Sequence, residues 1–180
     1  MTITFKITRR LFAAVQTDLL RRHAFAAERV GWLICRVGDA FDGNLIVLAH
    51  EYEPVADADY LDDPSVGAMM GPAAIRKALQ IALSQRASMF HVHLHDHCSF
   101  PRFSATDVRE TSKFVPDFWN VRPELPHGAV VLSRDAACGR CWYPGRGQQA
   151  IGEFVIVGAP QVRVSEAYEK QTRSPKLSQA

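Results

Sequence analysis

Hydrophobic and polar positions at the start of the chain predict a strand followed by a helix. Residues 2–7 (TITFKI) alternate between the two kinds and are rich in β-branched side chains, which is typical of a short strand. Over residues 8–27, Leu11, Val15 and Leu19 recur every four positions, while arginines occupy other positions. This repeat with a charged opposite face predicts an amphipathic helix over the range.

The next hydrophobic segments predict a hairpin. Residues 31–37 (GWLICRV) and 44–55 (NLIVLAHEYEPV) are apolar or alternating runs of strand length. Residues 38–43 (GDAFDG) lie between them, and their glycine and aspartate residues favour a turn. We therefore expect these two strands to pair with each other.

An acidic segment follows the hairpin. Six acidic residues and no basic one occur from Glu51 to Asp63, and the sequence PSVGAMMGP comes directly after them. Glycine and proline at these positions are typical of a mobile loop. The sequence is compatible with a solvated linker and with a lid or docking surface for a basic partner.

The middle of the chain predicts a second helix and a strand. Residues 71–85 open with Gly-Pro and carry Ile75, Leu79 and Leu83 four positions apart, which indicates an amphipathic helix. Residues 88–95 (SMFHVHLH) alternate as a strand does.

The remaining pattern predicts a third helix and further strands. Residues 104–115 (SATDVRETSKFV) have a helical pattern, and residues 96–103 form the loop before it. Strands are expected at GAVVLS, GRCWYP and EFVIVG. This order predicts an α/β or α+β fold with a mixed central sheet flanked by helices. We expect one domain over residues 1–160 and a polar tail over residues 161–180.

Composition narrows the class of protein. The 180 residues are 47% hydrophobic with a formal net charge of +2, which suits a globular domain and gives no sign of a nucleic-acid or membrane partner. No apolar run approaches the ~20 residues of a membrane-spanning helix, and a signal peptide is not evident. We therefore expect a cytoplasmic protein with reduced cysteines. The pair Cys138 and Cys141 supplies only two of the four ligands of a structural zinc, so a turn between strands is the better account.

Four of the seven histidines lie in one short run, at every second position from His91 to His97. Alternate side chains of a strand lie on the same face about 6.5–7 Å apart along the chain, so two neighbouring imidazoles are able to converge on one metal ion. Neutral imidazole is a good zinc ligand, and a catalytic zinc typically takes three protein ligands. A third ligand is needed close by.

Asp107 is the candidate for that third ligand, and it has two interpretations. Ser104 followed three residues later by Asp107 resembles a helix capping box, in which each side chain bonds to the backbone of the other residue. A carboxylate at this position also lies where the histidine strand runs into the next helix. The two histidines and Asp107 would then form a three-ligand pocket at that corner.

The order His-x-His, loop, Ser-x-x-Asp resembles the JAB/JAMM (MPN-type) zinc metallopeptidase family, whose pattern begins with a distant glutamate. In that family the glutamate ends the first helix in the context Glu-x-x-Gly-apolar-Leu, and residues 28–33 (ERVGWL) match it. The resemblance covers about residues 8–145. It implies a single JAB/MPN-like domain with a cytidine-deaminase-like fold and one Zn²⁺ ion held by His93, His95 and Asp107.

The choice of histidines is a question of register. The family has seven residues between the second histidine and the serine, whereas the pair His93 and His95 leaves eight before Ser104. The pair His95 and His97 leaves six, and Asp96 stands where the family commonly has proline. We predict His93 and His95, because one added loop residue is easily accommodated, and the pair His95 and His97 is the alternative.

The resemblance also implies an activity. Glu28 would be the general base that activates a water molecule with the zinc, and Ser104 would donate a hydrogen bond to the developing oxyanion. The substrate would be the bond after the C-terminal glycine of a ubiquitin-like protein, as in the bacterial isopeptidase branch that often accompanies E1-like and E2-like enzymes. Two other interpretations stay open, a non-catalytic MPN-type scaffold and a histidine-rich metal carrier.

Overall fold

A computed structural model describes residues 1–40, 43–158 and 162–164. Three α-helices are described, namely α1 (Arg9–Leu19), α2 (Pro72–Gln85) and α3 (Ala105–Phe114). The strands are β1 (Ile3–Thr8), β2 (Val30–Asp39), β3 (Leu45–Pro54), β4 (Tyr60–Leu61), β5 (Met69–Met70), β6 (Ser88–Leu94), β7 (His127–Leu132), β8 (Ala137–Tyr143), β9 (Gly147–Ala150), β10 (Glu153–Val157) and β11 (Val162–Val164). Two short 3₁₀ helices cover Asp57–Asp59 and Val115–Asn120.

Nine of these strands form one mixed sheet in the order β11-β10-β1-β3-β2-β6-β7-β8-β9. The pairs β1/β10, β1/β3 and β6/β7 are parallel, and the other pairs are antiparallel. The expected hairpin of β2 and β3 is confirmed, and so is the order of the predicted helices and strands. A mixed sheet flanked by helices is therefore the architecture of this chain.

Helices α1 and α2 pack on opposite faces of the sheet. The β2 residues that contact them show this, since successive residues of a strand point to opposite sides. Leu33 of β2 lies in the same apolar cluster as Val15 of α1. Trp32, its neighbour in the chain, lies in the other cluster with Ala78 of α2. On β6, Met89 belongs to the α2 side, so the residues two and four positions further on face that side as well.

The first helix is shorter than the sequence predicts. It ends at Leu19 rather than near residue 27, and the chain then follows an irregular path to β2. The guanidinium of Arg29, which is 3% exposed, donates hydrogen bonds to the carbonyl oxygens of Arg21 and Arg22 at 3.0 and 3.1 Å. In a longer helix, backbone N–H groups of the next turn would donate to those carbonyls. The buried guanidinium takes their place, and this stabilises a helix that ends at Leu19.

Two predicted irregular segments contain strands. The acidic segment contains β4, and the stretch after it, expected to be a mobile loop, contains β5, and these two strands pair with each other as antiparallel neighbours. Residues 162–164 lie in the predicted polar tail, yet they pair with β10 as β11. The rest of that tail lies outside the described residues. Among the residues described, no helix is both long and apolar enough to cross a membrane.

Candidate metal centre

The histidine run lies on β6 and just beyond its end. Every residue of β6 is buried, and His93, with 2% of its side chain exposed, is close to the end of the strand. His95 follows the strand and has 22% of its side chain exposed. The Nε2 atoms of His93 and His95 are 3.2 Å apart, so both imidazoles converge on one point as the alternation predicts.

Glu28 reaches the same point from the start of β2. Val30 is paired directly with His93 across the β2/β6 ladder, which places the residues just before β2 beside the histidines. The Oε1 atom of Glu28 is 4.0 Å from Nε2 of His95. One ligand atom from each of Glu28, His93 and His95 lies within 4.8 Å of the others, and this group could hold a metal ion.

Asp107 serves the helix cap and faces the histidines at the same time. Its Oδ2 atom accepts a hydrogen bond of 2.7 Å from the backbone N–H of Ser104, and its own N–H donates to Ser104 Oγ at 3.1 Å. Its other oxygen, Oδ1, is 3.5 Å from Nε2 of His93. The capping box and a ligand role are therefore compatible, since each uses a different carboxylate oxygen.

Two of the donor distances, both from His93, are close to those of zinc coordination. Two ligand atoms at bonds of about 2.0–2.1 Å in a tetrahedral site lie about 3.3 Å apart. The distances from His93 Nε2 to His95 Nε2 and to Asp107 Oδ1, 3.2 and 3.5 Å, are close to that value. The 4.0 Å from His95 Nε2 to Glu28 Oε1 is longer, although Glu28, His93 and His95 are the residues whose ligand atoms all lie within 4.8 Å of one another.

The electrostatics of the site favour the forms that bind metals. Burial, together with the neighbouring His93, lowers the pKa of His95, so this imidazole stays neutral. Burial raises the pKa of the Asp107 carboxyl, but the hydrogen bond and charge of His93 and the hydrogen bonds from Ser104 outweigh it. The net pKa of Asp107 lies well below its ordinary value, so the carboxylate is ionised at neutral pH.

His97 lies apart from this group. Its Nδ1 atom is 2.8 Å from Ser99 Oγ on the exposed loop, and it is not among the three donors that converge. His95 continues the ladder through its N–H to Leu132 O at 2.9 Å, and the chain then turns, with His97 N donating to His95 O at 2.8 Å. Because His97 lies outside the converging group, this geometry favours the pair His93 and His95.

A cleft of about 490 Å³ opens beside the donors. His91 and Thr111 line it together with the converging residues, and the side chains of Val66, Met70 and Phe114 form an apolar part of its wall. Burial lowers the pKa of His91 to about 3, and its Nδ1 atom has no hydrogen-bond partner among the described residues. His91 is therefore a neutral, buried strand residue, in agreement with its position deeper in β6.

Ser104 lies at the edge of this cleft. Its Oγ atom accepts a hydrogen bond from the backbone N–H of Asp107, and its side chain is also hydrogen-bonded to the Asp107 carboxylate, which helps to lower the pKa of that carboxyl. Ser104 therefore both caps α3 and lines the cleft.

The cysteine pair is not a second centre. Cys138 and Cys141 both lie within β8 rather than in the predicted turn, and residues three apart on a strand face opposite sides. Cys141 is buried in the apolar core, where burial raises the pKa of its thiol to about 12. Neither residue belongs to a group of metal donors in the part of the chain that the structure describes.

Sequence reasoning missed the contact between Glu28 and Gly67. The backbone N–H of Glu28 donates to Gly67 O at 3.1 Å, and a β-carbon at Gly67 would lie 3.0 Å from Glu28 Oε2. The two residues are far apart in the chain, and a glycine between Val and Ala in a loop gives no signal of such a contact. Only the path of the segment after β4 shows it.

Ser104→Ala is expected to lower the free energy of unfolding by about 1 kcal/mol, because it removes the oxygen that caps α3. Denaturant unfolding of the metal-free protein measures this. Ser99→Ala is the matched control, since Ser99 lies on the exposed loop and its Oγ is hydrogen-bonded to His97 rather than to the cap of α3. Equal stability of Ser104→Ala and the wild type would show that the cap contributes nothing.

Comparison with known proteins adds little to this geometry. No family model matches the chain, and no curated protein matches it. One solved structure that it is similar to is the N-terminal domain of STIL from Trichoplax adhaerens, with 11% identity and a TM-score of 0.40. The match covers 77% of this chain and 40% of that one, so the chain spans less than half the length of its match. We draw no functional argument from a similarity at this level.

Proposed function

We propose that the chain is a zinc-dependent peptidase or isopeptidase of the JAB/JAMM type. The observation that supports this most strongly is the convergence of Glu28, His93, His95 and Asp107 at one cleft, from three separate elements of the fold. These are the residues that the motif resemblance selects. The convergence was not required by the fold, since the helix cap and the strand would each form without it.

His93, His95 and Asp107 would hold the ion. The donor atoms of His95 and Asp107 lie 3.2 and 3.5 Å from that of His93, and two imidazoles with one carboxylate match the ligand types that zinc takes in hydrolases. A Zn²⁺ ion bound there supplies Lewis-acid polarisation of a carbonyl group and lowers the pKa of water toward about 7. Three protein ligands leave one position open for these tasks.

Glu28 would act as the general base. Its side chain is 34% exposed and lines the cleft, and its Oε1 atom is 4.0 Å from His95 Nε2, farther than the 3.2 Å between the two imidazole nitrogens. From this position it takes a proton from the attacking water and later passes it to the leaving amine. A base that lies next to the ligands, without being one of them, is free to carry the proton in both steps.

Ser104 would stabilise the developing oxyanion. Its Oγ lies at the edge of the cleft, held by the N–H of Asp107, and its hydroxyl would donate a hydrogen bond to the oxyanion. A fixed donor aimed at developing negative charge lowers the barrier without reorganising during the reaction. The substrate that we propose is the bond after the C-terminal glycine of a ubiquitin-like protein, which enters the cleft in extended form. E1-like and E2-like enzymes are the pathway partners that this proposal implies.

The proposal is tested with ubiquitin-like proteins fused through their C-terminal glycine to a second protein. The zinc-loaded enzyme is expected to release the two parts, and mass spectrometry of the products should locate the cut directly after the glycine. Addition of a chelator should stop cleavage, and added zinc should restore it. Intact fusions with both peptide and isopeptide linkages, after incubation with fully loaded protein, would argue against this activity.

A further inference from the structure

Three consecutive residues that lead into β2, from Glu28 to its first residue Val30, are each held by the segment after β3. The first of them is Glu28. Its N–H donates to the carbonyl oxygen of Gly67 at 3.1 Å, and the carboxylate lies directly against the glycine. A β-carbon at position 67 would be 3.0 Å from Oε2 and 3.1 Å from the carboxyl carbon of Glu28, which is closer than normal packing.

The next residue, Arg29, is paired with Asp57. The guanidinium donates to both carboxylate oxygens of Asp57, at 2.7 and 3.1 Å. The arginine side chain is 2% exposed and the aspartate side chain 63% exposed. A buried guanidinium without a partner is costly, so this pair fixes the acidic segment against the start of β2.

The third residue, Val30, is bonded to Tyr60. The tyrosine hydroxyl accepts from Val30 N–H at 2.8 Å and donates to Val30 O at 3.3 Å. Tyr60 is 5% exposed and is therefore held in place by its own packing. Since Val30 is directly opposite His93 in the sheet, these bonds connect the segment with the strand that carries the histidines.

We propose that residues 57–67, which we name the clamp segment, position the Glu28 carboxylate relative to His93 and His95. Asp57, Tyr60 and Gly67 are its positioning residues, and none of them acts on the reacting atoms. The inference rests on the proposed function, because Glu28 matters to turnover only if the site is hydrolytic.

The clamp explains why a glycine stands at position 67. Gly67 has no positive φ, so alanine would fit its backbone, and the obstacle is the Glu28 carboxylate alone. The methyl group of Gly67→Ala would displace that carboxylate by a few tenths of an ångström. The sequence suggests the acidic segment as a docking surface for a basic partner. In the structure, its residue Asp57 is paired with Arg29 within the protein.

The test compares Tyr60→Phe and Gly67→Ala with the wild type. Tyr60→Phe removes one hydroxyl and leaves the ring that packs in the core. In the metal-free protein, the backbone amides of Glu28 and Val30 are expected to exchange their hydrogens about tenfold faster in Tyr60→Phe, because both bonds to the segment weaken. In the zinc-loaded enzyme, kcat should fall about tenfold or more in each variant, with KM and zinc stoichiometry unchanged.

Matched controls separate positioning from general damage. Gly38→Ala lies on the same strand β2, where a β-carbon would meet nothing within 4 Å, and it should leave exchange and kcat unchanged. Tyr143→Phe removes a hydroxyl from β8, which lines no part of the cleft, and should also have no effect.

Unchanged exchange at Glu28 in Tyr60→Phe would overturn the clamp, even if Val30 exchanged faster. A rise in KM with constant kcat would overturn it too, and would favour a docking role for the acidic segment. The exchange measurement needs neither metal nor substrate. If no fusion is cleaved but Glu28 is protected through Tyr60, the proposed hydrolysis fails and the positioning contact stands.

Discussion

Glu28→Gln is expected to reduce hydrolysis by about 10³-fold or more while the protein keeps one zinc ion, because the change removes a base and leaves the ligands in place. Glutamine has the same shape as glutamate and cannot accept a proton at neutral pH. The hydrogen bond to Gly67 O comes from the backbone N–H of Glu28, so the substitution leaves it in place. The loss should appear in kcat, with little change in KM.

The expected retention of zinc follows from the distances. His95 Nε2 and Glu28 Oε1 are 4.0 Å apart, whereas the donors that we assign as ligands are 3.2 and 3.5 Å from His93 Nε2. Removal of a charge that lies beside the ion, rather than bonded to it, changes affinity modestly. Metal content by elemental analysis and a zinc titration measure this in the same preparations that are used for kinetics.

Glu110→Gln is the matched control, since Glu110 also lines the cleft with a carboxylate. Its carboxylate is paired with Arg109 and Lys113 at 2.8 and 3.0 Å, so Glu110→Gln should leave the rate of hydrolysis unchanged. Equal cleavage by Glu28→Gln and wild type would remove Glu28 from the mechanism. Loss of zinc in Glu28→Gln would make Glu28 a ligand, as its position within the three-donor group permits.

Local patterns predicted the parts of this site that local physics determines. The alternation of β6 placed His93 and His95 on one face, and the spacing of Ser104 and Asp107 predicted the cap that the structure contains. Both need only residues that are close in the chain. The architecture of a mixed sheet with helices also followed from the order of the elements.

Contacts between distant residues were beyond such patterns. The end of α1 depends on the burial of Arg29, whose partner Asp57 lies in a segment that looks like a solvated linker by composition. Tyr60 and Gly67 reach the start of β2 through the path of the β4 and β5 hairpin. No periodicity marks these residues, because each makes a single long-range contact rather than lining a face.

The division of Asp107 between two tasks shows the same limit. From the sequence, capping and metal binding were competing interpretations of one carboxylate. In the structure, Oδ2 bonds to Ser104 and Oδ1 faces His93. The cap therefore orients the oxygen that we propose as a ligand, as a supporting hydrogen bond does in metal sites generally.

Single substitutions of the histidines are expected to separate ligands from neighbours. His93→Ala and His95→Ala should each weaken zinc binding by more than about 100-fold, because loss of a direct ligand exceeds the 10–100-fold cost of losing an outer partner. His97→Ala should bind zinc as the wild type does, since its imidazole contacts Ser99 on the exposed loop. A competition titration against a chelator of known affinity measures all three.

The three variants also decide between the remaining interpretations, because each arrangement of ligands predicts a different order of affinities. A histidine-rich carrier would lose affinity gradually and about equally in His93→Ala, His95→Ala and His97→Ala. Strong loss of zinc affinity in His95→Ala and His97→Ala, with normal zinc binding in His93→Ala, would identify His95 and His97 as the ligand pair. His93 is 2% exposed in its side chain, so its variant also needs an unfolding measurement on the metal-free protein. A folded His93→Ala protein that binds zinc normally would contradict the site that we describe.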